Sequence, residues 1–370
     1  MKVLFVIGTR PEAIKLAPVI LECQKKKGIQ ALVCSTGQHK ELLDRAFEQW
    51  SLIPDIELDV MQAGQGLNEL LSKLLSQLDI VLSDAKPDCV VVQGDTSSCL
   101  AGALASFQRK IPVYHVEAGL RTNDKSAPYP EELNRQLVSR IAHVHFAPTE
   151  KNKRALLREG ISDNDIVVTG NTVIDALMMC KKKMTPESNP EILKLQGIYE
   201  PKKKLLLVTG HRRENIGAGF LELIDALREL ASNPSLQIIY PLHLNPAVRK
   251  PMIQALGKTD GIFLIEPLGY EAFVWLMSKS FLIISDSGGV QEEAPSLNKP
   301  VLVFREQTER EEAIEAGTVK LIGTLKEAIV HGVQELIDDE DAYMEMTQKP
   351  NPYGDGMAAK RIVDFLASVE

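Results

Sequence analysis

The sequence of 370 residues lacks the features that mark membrane, secreted and disulfide-rich proteins. No apolar run reaches the roughly 18 residues that a membrane-spanning helix needs, and the run Val3–Ile7 near the N-terminus is too short for a signal peptide. There is no Cys-x-x-Cys pair. The five cysteines are odd in number and widely spaced, which is typical of reduced thiols in a cytoplasmic protein. We therefore expect a cytoplasmic protein with no membrane partner.

An excess of positive charge is also missing. Lysine and arginine number 42 against 50 aspartates and glutamates, and the resulting net charge of −8 argues against a nucleic-acid partner. Three short lysine runs are interpreted as solvated helix ends or linkers: Lys25–Lys27, Lys181–Lys183 and Lys202–Lys204. The hydrophobic content of 44% and the charged content of 25% are ordinary for a soluble globular enzyme. The length is about twice that of a usual domain, so two domains are expected.

Two common nucleotide-binding motifs do not occur. The first predicted strand is followed by Gly8-Thr9-Arg10-Pro11 rather than by GxGxxG, and no Walker sequence is present. These absences weaken the case for NAD binding and for P-loop phosphoryl transfer. His143 and His145 alternate on a predicted strand without a cysteine or carboxylate at ligand spacing, so we interpret them as structural and predict no metal site.

Short apolar runs that alternate with helical patterns extend along most of the chain. In the first half the predicted strands are Lys2–Ile7, Ala31–Ser35, Cys89–Gln93, Pro112–Glu117, Val144–Ala147 and Ile166–Thr169. In the second half they are Leu205–Thr209, Gln237–Tyr240, Ile262–Ile265, Phe281–Ser285 and Val301–Phe304. Apolar strands separated by helices predict parallel, doubly wound sheets, so the fold class is α/β with two Rossmann-like domains.

The domain boundaries follow from a change in composition. From about Cys180 to Lys204 the sequence turns to Lys, Pro, Asn and Glu without strand runs, which indicates a linker or a peripheral helix. We place an N-terminal domain at residues 1–170 and a C-terminal, nucleotide-binding domain at residues 171–356. The amphipathic segment 357–370 is expected to pack back onto the N-terminal domain.

The segment from Phe281 to Pro295 predicts an anion-binding site. An apolar strand ends in Asp286-Ser287-Gly288-Gly289, and a helical pattern begins directly afterwards. The N-terminus of a helix presents unpaired N–H groups and a positive dipole, and the two glycines let a phosphate approach closely. Glu292 and Glu293 follow in the first turn, where a carboxylate can reach sugar hydroxyls. The segment predicts a nucleotide-diphosphate site, with an ordinary turn as the alternative.

Ligands of doubly wound sheets bind beyond the carboxyl ends of the strands, and in this chain the residues there are polar. The carboxylates at these positions are Asp95, Glu117, Glu131 and Glu132, and the cationic side chains are Arg10, Lys15, His211, Arg212 and Arg310. Glu132 is interpreted as a helix-start carboxylate that the dipole favours. Arg135 lies one helical turn after Glu131 and is predicted to hold it. A phosphate site combined with several acids suits the making or breaking of a sugar–phosphate bond.

The motifs together resemble those of the non-hydrolysing bacterial UDP-N-acetylglucosamine 2-epimerases along essentially the whole chain. They are GTRPEAIK near the N-terminus, GDT at 94–96, HVEAGLRT at 115–122, PEE at 130–132 with Asn134-Arg135, GNTVIDAL at 170–177, GHRRE at 210–214, YPLHLNP at 240–246, DSGGVQEEAPSL at 286–297 and NPYGDG at 351–356.

The resemblance implies a two-domain fold of the GT-B type, a homodimer, and reversible conversion of UDP-N-acetylglucosamine (UDP-GlcNAc) to UDP-N-acetylmannosamine (UDP-ManNAc) without a metal or redox cofactor. It implies four catalytic residues: Asp95, Glu117, Glu131 and His211. It implies that the UDP-sugar is bound by Arg10, Lys15, Arg135, Arg212, Ser287, Gly288, Gly289, Glu293 and Arg310. The product would supply units for bacterial surface polysaccharide.

Part of an allosteric pattern is present as well. Gln38, His39 and Arg212 match residues through which several relatives are activated by their own substrate, whereas Glu41 and Gly64 depart from that pattern. Gln93 stands where histidine is usual in the family. The alternatives to epimerisation are a hydrolysing epimerase that releases free N-acetylmannosamine and UDP, a glycosyltransferase of the same fold, and a catalytically silent UDP-sugar sensor.

Overall fold

The computed structural model describes residues 1–38, 40–62, 64–210, 212, 215 and 217–369, and for residues 40–42 it describes the backbone only. The strands are β1 (Lys2–Ile7), β2 (Gln30–Ser35), β3 (Ile56–Glu57), β4 (Cys89–Gln93), β5 (Val113–Val116), β6 (Val144–Ala147), β7 (Ile166–Val168), β8 (Lys204–Thr209), β9 (Leu236–Pro241), β10 (Ile262–Ile265), β11 (Leu282–Ser285), β12 (Val301–Val303) and β13 (Val319–Leu321).

At least one helix lies between each strand and the next. They are α1 (Arg10–Lys25), α2 (Lys40–Trp50), α3 (Leu67–Ala85), α4 (Ser97–Gln108), α5 (Glu131–Ile141), α6 (Glu150–Arg158), α7 (Thr172–Lys183), α8 (Pro190–Ile198), α9 (Ala218–Ala231), α10 (Pro246–Leu256), α11 (Tyr270–Lys279), α12 (Gly288–Glu293), α13 (Glu311–Glu315), α14 (Lys326–Asp338), α15 (Glu340–Gln348) and α16 (Ala358–Ser368).

The chain folds into two compact units. Unit 1 comprises Met1–Ala176 and Tyr353–Glu370, and unit 2 comprises Leu177–Pro352. The chain passes from the first unit to the second within α7 and returns just before α16.

Unit 1 is built on a seven-stranded sheet in the order β3-β2-β1-β4-β5-β6-β7. The neighbouring strands are parallel, with Val3 opposite both Ala31 and Cys89. The apolar residues of β1 and β4 are buried because helices cover both faces of the sheet, as expected for strands with continuous apolar runs. Strand order reverses between β1 and β4, and at such a point the loops beyond the strands leave a crevice for a ligand.

The C-terminal helix belongs to unit 1. α16 packs against α1, and the carboxylate of Asp175 in α7 accepts hydrogen bonds from the backbone N–H groups of Ala358 (3.2 Å) and Ala359 (2.9 Å). Burial raises the pKa of Asp175 to about 6, although these two hydrogen bonds lower it. The first N–H groups of α16 are thereby satisfied by a side chain from another helix.

Unit 2 repeats the same plan with a six-stranded parallel sheet in the order β10-β9-β8-β11-β12-β13. Its strand order reverses between β8 and β11. These two strands pair in parallel, with Leu206 opposite Leu282 and Thr209 opposite Ser285. Its core contains side chains from these strands and from α9 and α14.

The predicted fold class is confirmed, because both sheets are parallel and helices alternate with strands. Sequence analysis missed two strands, β3 and β13, which are two and three residues long and too short to form a recognisable apolar run. All five cysteines are buried. No helix in the described ranges is long and apolar enough to cross a lipid bilayer.

Candidate active site

In unit 1 the candidate carboxylates follow two neighbouring strands. Asp95 comes after β4 through Gly94, which has a φ of +71°, and Glu117 comes directly after β5. Glu117 itself has a φ of +64°. A residue with a Cβ in this left-handed region costs about 1 to 3 kcal/mol and persists only where its surroundings hold it. The backbone therefore aims the Glu117 side chain at a conformational cost, as is common at functional sites.

Two donors hold the Glu117 carboxylate. Nζ of Lys15, from α1, lies 2.5 Å from Oε2, and Nε2 of Gln93, at the end of β4, lies 2.7 Å from the same oxygen. The side chains of Lys15 and Glu117 are only 14% and 10% exposed, so water screens this ion pair weakly. The structure thus brings two predicted site residues, Lys15 and Glu117, into direct contact.

Asp95 is held from α5. Nη2 of Arg135 lies 2.6 Å from Oδ2 of Asp95, and Nδ2 of Asn134 donates to its backbone oxygen at 2.9 Å. Arg135 also lies 3.3 Å from Glu132. The predicted pairing of Arg135 with Glu131 is wrong, because the spacing along one helix could not reveal that β4 supplies a nearer carboxylate. Glu131 opens α5, on the helix side that carries Asn134 and Arg135.

Glu132 has a structural task. It is fully buried and accepts hydrogen bonds from the backbone N–H groups of Thr122 (3.0 Å) and Asn123 (3.2 Å) and from Nε2 of Gln136 (2.8 Å). These contacts fix the loop that follows β5. They agree with the interpretation of Glu132 as a non-catalytic carboxylate at the start of a helix.

A further carboxylate, Glu12, ties together the turns at the point where strand order reverses. Its Oε2 accepts hydrogen bonds from the Gly8 N–H (3.0 Å) and the Thr9 hydroxyl (2.8 Å), and its Oε1 accepts one from the Thr96 hydroxyl (2.8 Å). Burial raises the pKa of the Glu12 carboxyl to about 7, although these hydrogen bonds lower it. Glu12 therefore joins the turn after β1 to the turn that carries Asp95.

Two histidines support the same edge of the sheet from inside. His115 and His145 are opposite each other on β5 and β6, and both are buried. Nε2 of His115 lies 2.7 Å from the backbone oxygen of Gly94. Burial lowers the pKa of His115 to about 3 and that of His145 to about 4, so both rings are neutral near pH 7.

In unit 2 the corresponding turns are joined by Asp286, which is fully buried after β11. Its Oδ2 accepts hydrogen bonds from the Arg212 N–H (2.9 Å) and from Nδ2 of Asn215 (3.2 Å). Asp286 thus links the turn after β8 to the predicted diphosphate turn. Its position resembles that of Glu12 in unit 1, since each carboxylate lies where strand order reverses.

The predicted diphosphate turn lies against an arginine. Ser287 precedes the first residue of α12, and a Cβ on Gly288 would lie 3.0 Å from Nη2 and 3.1 Å from Cζ of Arg310. Glycine at position 288 therefore lets the guanidinium reach the backbone of the turn. Nε of Arg310 donates to Oε1 of Glu292 at 2.8 Å, so Glu292 holds this arginine in place.

Glu309 joins three arginines. Its Oε1 lies 3.0 Å from Nη1 of Arg310 and 3.3 Å from Nη2 of Arg212, and its Oε2 lies 2.9 Å from Nη1 of Arg305. Burial alone would raise the pKa of Glu309, but the three guanidinium groups outweigh burial and lower it to about 2. Two predicted phosphate-binding arginines, Arg212 and Arg310, are thereby held on one carboxylate.

Glu293, the predicted ribose-binding carboxylate, is held from α11. The Tyr270 hydroxyl donates to its Oε1 at 2.5 Å, and the side chains of both residues are buried. Gly289 lies beside Glu293, because a Cβ on this glycine would lie 3.7 Å from Oε2 of the glutamate. The carboxylate therefore lies next to the predicted diphosphate turn.

The remaining predicted residues have different positions. Arg10 is the first residue of α1, at the carboxyl end of β1. Oε1 of Gln38 accepts a hydrogen bond from the Ser98 hydroxyl at 3.1 Å. His39 and His211 lie outside the described residues.

Sequence reasoning assigned no site role to Glu12, Gln93 or Glu309. Glu12 and Glu309 occur in polar segments, where exposed positions are usual, and only the structure reveals that Glu12 is buried and Glu309 half-buried. Gln93 is an uncharged residue at the end of an apolar strand. Its side-chain direction was predictable from strand alternation, but its partner on the next strand was not.

Comparison with known proteins yields one family. The profile described as UDP-N-acetylglucosamine 2-epimerase matches residues 21–367. The UDP-N-acetylglucosamine 2-epimerase of Escherichia coli strain K12 is 50% identical over 369 residues, covering 99% of this chain and 98% of the relative.

Solved structures give the same result. The UDP-GlcNAc 2-epimerase of Neisseria meningitidis bound to UDP-GlcNAc superposes with a TM-score of 0.92 at 48% identity, covering 100% of both chains. The Methanocaldococcus jannaschii UDP-GlcNAc 2-epimerase in complex with UDP-GlcNAc and UDP superposes with a TM-score of 0.82 at 36% identity, again covering 100% of both chains.

Proposed function

The chain belongs to the UDP-N-acetylglucosamine 2-epimerase family, and we propose on this basis that it interconverts UDP-GlcNAc and UDP-ManNAc. The observation that carries the proposal is the pairing of two carboxylates with cations beyond adjacent strands, Glu117 with Lys15 and Asp95 with Arg135. Acid–base groups fixed in this way suit a reaction in which a carbon-bound proton must leave and return.

The proposed chemistry is elimination followed by re-addition. C2 of the sugar is not adjacent to a carbonyl, so its proton becomes removable only as the C1–oxygen bond breaks. UDP leaves with that electron pair, the C2 proton passes to a base, and the C–H electron pair forms the double bond of 2-acetamidoglucal. Return of a proton to the opposite face of C2 and of UDP to C1 inverts C2. Carboxylates also stabilise an oxocarbenium-like transition state electrostatically.

Each unit has its own proposed role. In unit 1, Asp95, Glu117 and Glu131 supply the acid and base groups, and Arg10 and Lys15 contact the sugar and phosphate. In unit 2 we propose that UDP is bound by the turn Ser287–Gly289, by Arg212 and Arg310 and by Glu293. Arg310 beside the backbone of the turn supports a diphosphate ligand, because guanidinium groups and N–H groups both donate to phosphate oxygens.

Several finer assignments are proposals drawn from the resemblance. They are catalysis by His211, sugar-side binding by Arg135, substrate activation through Gln38, His39 and Arg212, a homodimer, a cytoplasmic location, and supply of the product to surface polysaccharide. No metal or redox group takes part in the proposed reaction.

Proton NMR in deuterated water tests the proposal. We expect the purified protein and UDP-GlcNAc to give UDP-ManNAc with deuterium at C2. Glu117→Gln should still bind UDP but label C2 roughly 100-fold more slowly, the scale of an acid–base group.

Other products would identify the alternatives. Free N-acetylmannosamine and UDP would indicate the hydrolysing enzyme. Turnover only with an added acceptor would indicate a glycosyltransferase, and binding with no turnover would indicate a sensor. An unlabelled C2 would contradict the elimination route.

A further inference from the structure

Gln93 lies beside a proposed catalytic carboxylate and has been given no part in the reaction. It is the last residue of β4 and only 4% exposed. The parallel register places it opposite Val116, the residue before Glu117. Its side chain therefore reaches Glu117 from the neighbouring strand rather than from the same turn.

The donor and the acceptor of the contact between Gln93 and Glu117 can be assigned. A carboxylate only accepts hydrogen bonds, so the amide nitrogen of Gln93 must face Oε2 of Glu117, at 2.7 Å. Nζ of Lys15 donates to the same oxygen at 2.5 Å. Among the residues that the structure describes, none makes a hydrogen bond or ion pair with Oε1 of Glu117.

The two oxygens of Glu117 are therefore in different states. Oε2 accepts hydrogen bonds from an ammonium and an amide, which occupy its lone pairs. Oε1 keeps its lone pairs. The two donors also restrict rotation of the carboxylate. The main chain is fixed as well, because Ala118 N–H bonds to the Phe146 carbonyl at 3.1 Å.

We propose that Gln93 is a positioning residue that fixes the Glu117 carboxylate so that Glu117 exchanges protons with the substrate through Oε1. The inference rests on the proposed function and deepens it. When Glu117 acts as the base, the sugar proton passes to Oε1, the C–H electron pair forms the glycal double bond, and UDP leaves with the C1–oxygen pair. Oε2 keeps both donors throughout.

Two substitutions of Gln93 separate positioning from packing. Gln93→Met has a similar length but no donor, whereas Gln93→His can place an N–H near the position of the amide nitrogen. We expect Q93M to lower kcat by roughly 10- to 100-fold, the scale of a hydrogen bond to a charged group. KM and the Kd of UDP should change by less than about twofold, because the lost interaction acts in the chemical step. Q93H should recover most of kcat.

Gln136 offers a matched control. Its Nε2 donates to Oε1 of Glu132 at 2.8 Å, so Gln136→Met removes the same kind of bond from a carboxylate with a structural task. We expect Q136M to leave kcat unchanged. Crystal structures of the wild type and Q93M should show the Glu117 carboxylate turned away from its original orientation in the variant.

The inference is overturned if Q93M keeps kcat within about twofold of the wild type, if Q93H is as slow as Q93M, or if Q136M loses as much as Q93M. An unmoved Glu117 in the Q93M crystal also overturns it. Wild-type turnover is measured first: absence of C2 labelling in the wild type counts against the proposed function, whereas normal labelling in both wild type and Q93M counts against the Gln93 inference alone.

Discussion

Single buried carboxylates organise the turns at which both sheets reverse strand order. Glu12 accepts hydrogen bonds from the turns after β1 and β4, and Asp286 accepts them from the turn after β8. Such groups are costly to bury and are retained only with several donors around them. Since Glu12 lies between the turns that carry Arg10 and Asp95, its protonation state affects the stability of unit 1.

The stability of unit 1 should therefore depend on pH through Glu12. Burial raises its pKa from 4.5 to about 7, so the folded state binds a proton more tightly than the unfolded state. This stabilisation is complete below pH 4.5, falls as pH rises, and is lost above pH 7. We expect Glu12→Gln to remove a pH-dependent contribution on the order of 3 kcal/mol across this interval.

Urea unfolding from pH 4.5 to 7.5 measures the effect as the difference in the free energy of unfolding between the wild type and E12Q. Glu48→Gln, at an exposed glutamate of the same unit, is the control and should run parallel to the wild type. If the free energies of unfolding of the wild type and E12Q differ by the same amount at every pH, Glu12 does not titrate in this interval.

At the scale of elements, the turn from β11 into α12 depends on a residue from another segment of the chain. The sequence predicted this turn, because a strand, two glycines and a helical pattern lie within one short stretch. It did not predict that Arg310 would lie against Gly288, since the two residues belong to different elements with β12 between them. The same limitation produced the wrong pairing of Arg135, whose partner Asp95 lies on another element.

Strands within the sheets, in contrast to contacts between elements, were predicted well from the sequence. β1, β4 and β6 have the predicted bounds because a strand buried on both faces needs a continuous apolar run. β3 and β13 are edge strands and need no such run. Glu309 was overlooked because the charged segment Arg305–Glu312 is typical of an exposed surface, whereas in the structure Glu309 pairs with Arg305, Arg310 and Arg212.

Substitution of Gly288 should weaken nucleotide binding through Arg310. In Gly288→Ala the new methyl group would lie 3.0 Å from Nη2, so the guanidinium must shift. Loss of one charge-assisted hydrogen bond to a phosphate would weaken UDP binding by roughly 10-fold. Isothermal titration calorimetry with UDP measures the change.

A double-mutant cycle identifies the cause. Lysine lacks the Nη2 and Cζ atoms that the methyl group would contact. Adding G288A to Arg310→Lys should therefore weaken UDP binding much less than adding G288A to the wild type. Gly197→Ala in α8, where a Cβ would meet nothing within 4 Å, is the control and should bind UDP normally. An equal cost of G288A in both backgrounds would mean that the methyl group acts on the ligand directly.

At the scale of the whole molecule, the chain contains two parallel sheets, each with its own core and each with one tryptophan. Trp50 is buried at the end of α2 in unit 1, and Trp275 is buried in α11 in unit 2. Trp50→Phe therefore leaves Trp275 as the single tryptophan probe, in unit 2. Trp275→Phe leaves Trp50, in unit 1. A ligand that binds only the folded form of one unit stabilises that unit by mass action.

We expect UDP to stabilise unit 2 more than unit 1, since its proposed contacts to the turn Ser287–Gly289, to Arg310 and to Glu293 all lie there. At a UDP concentration of 100 times Kd, the free energy of unfolding measured in guanidinium through Trp275 should increase by about 2.7 kcal/mol. The shift followed through Trp50 should be smaller, and cytidine monophosphate at the same concentration, which lacks the second phosphate, should shift both probes less. Equal shifts at both tryptophans would show either that the units unfold together or that UDP binds both of them. Unfolding without ligand distinguishes these cases, because units that unfold together must give coincident transitions through both probes.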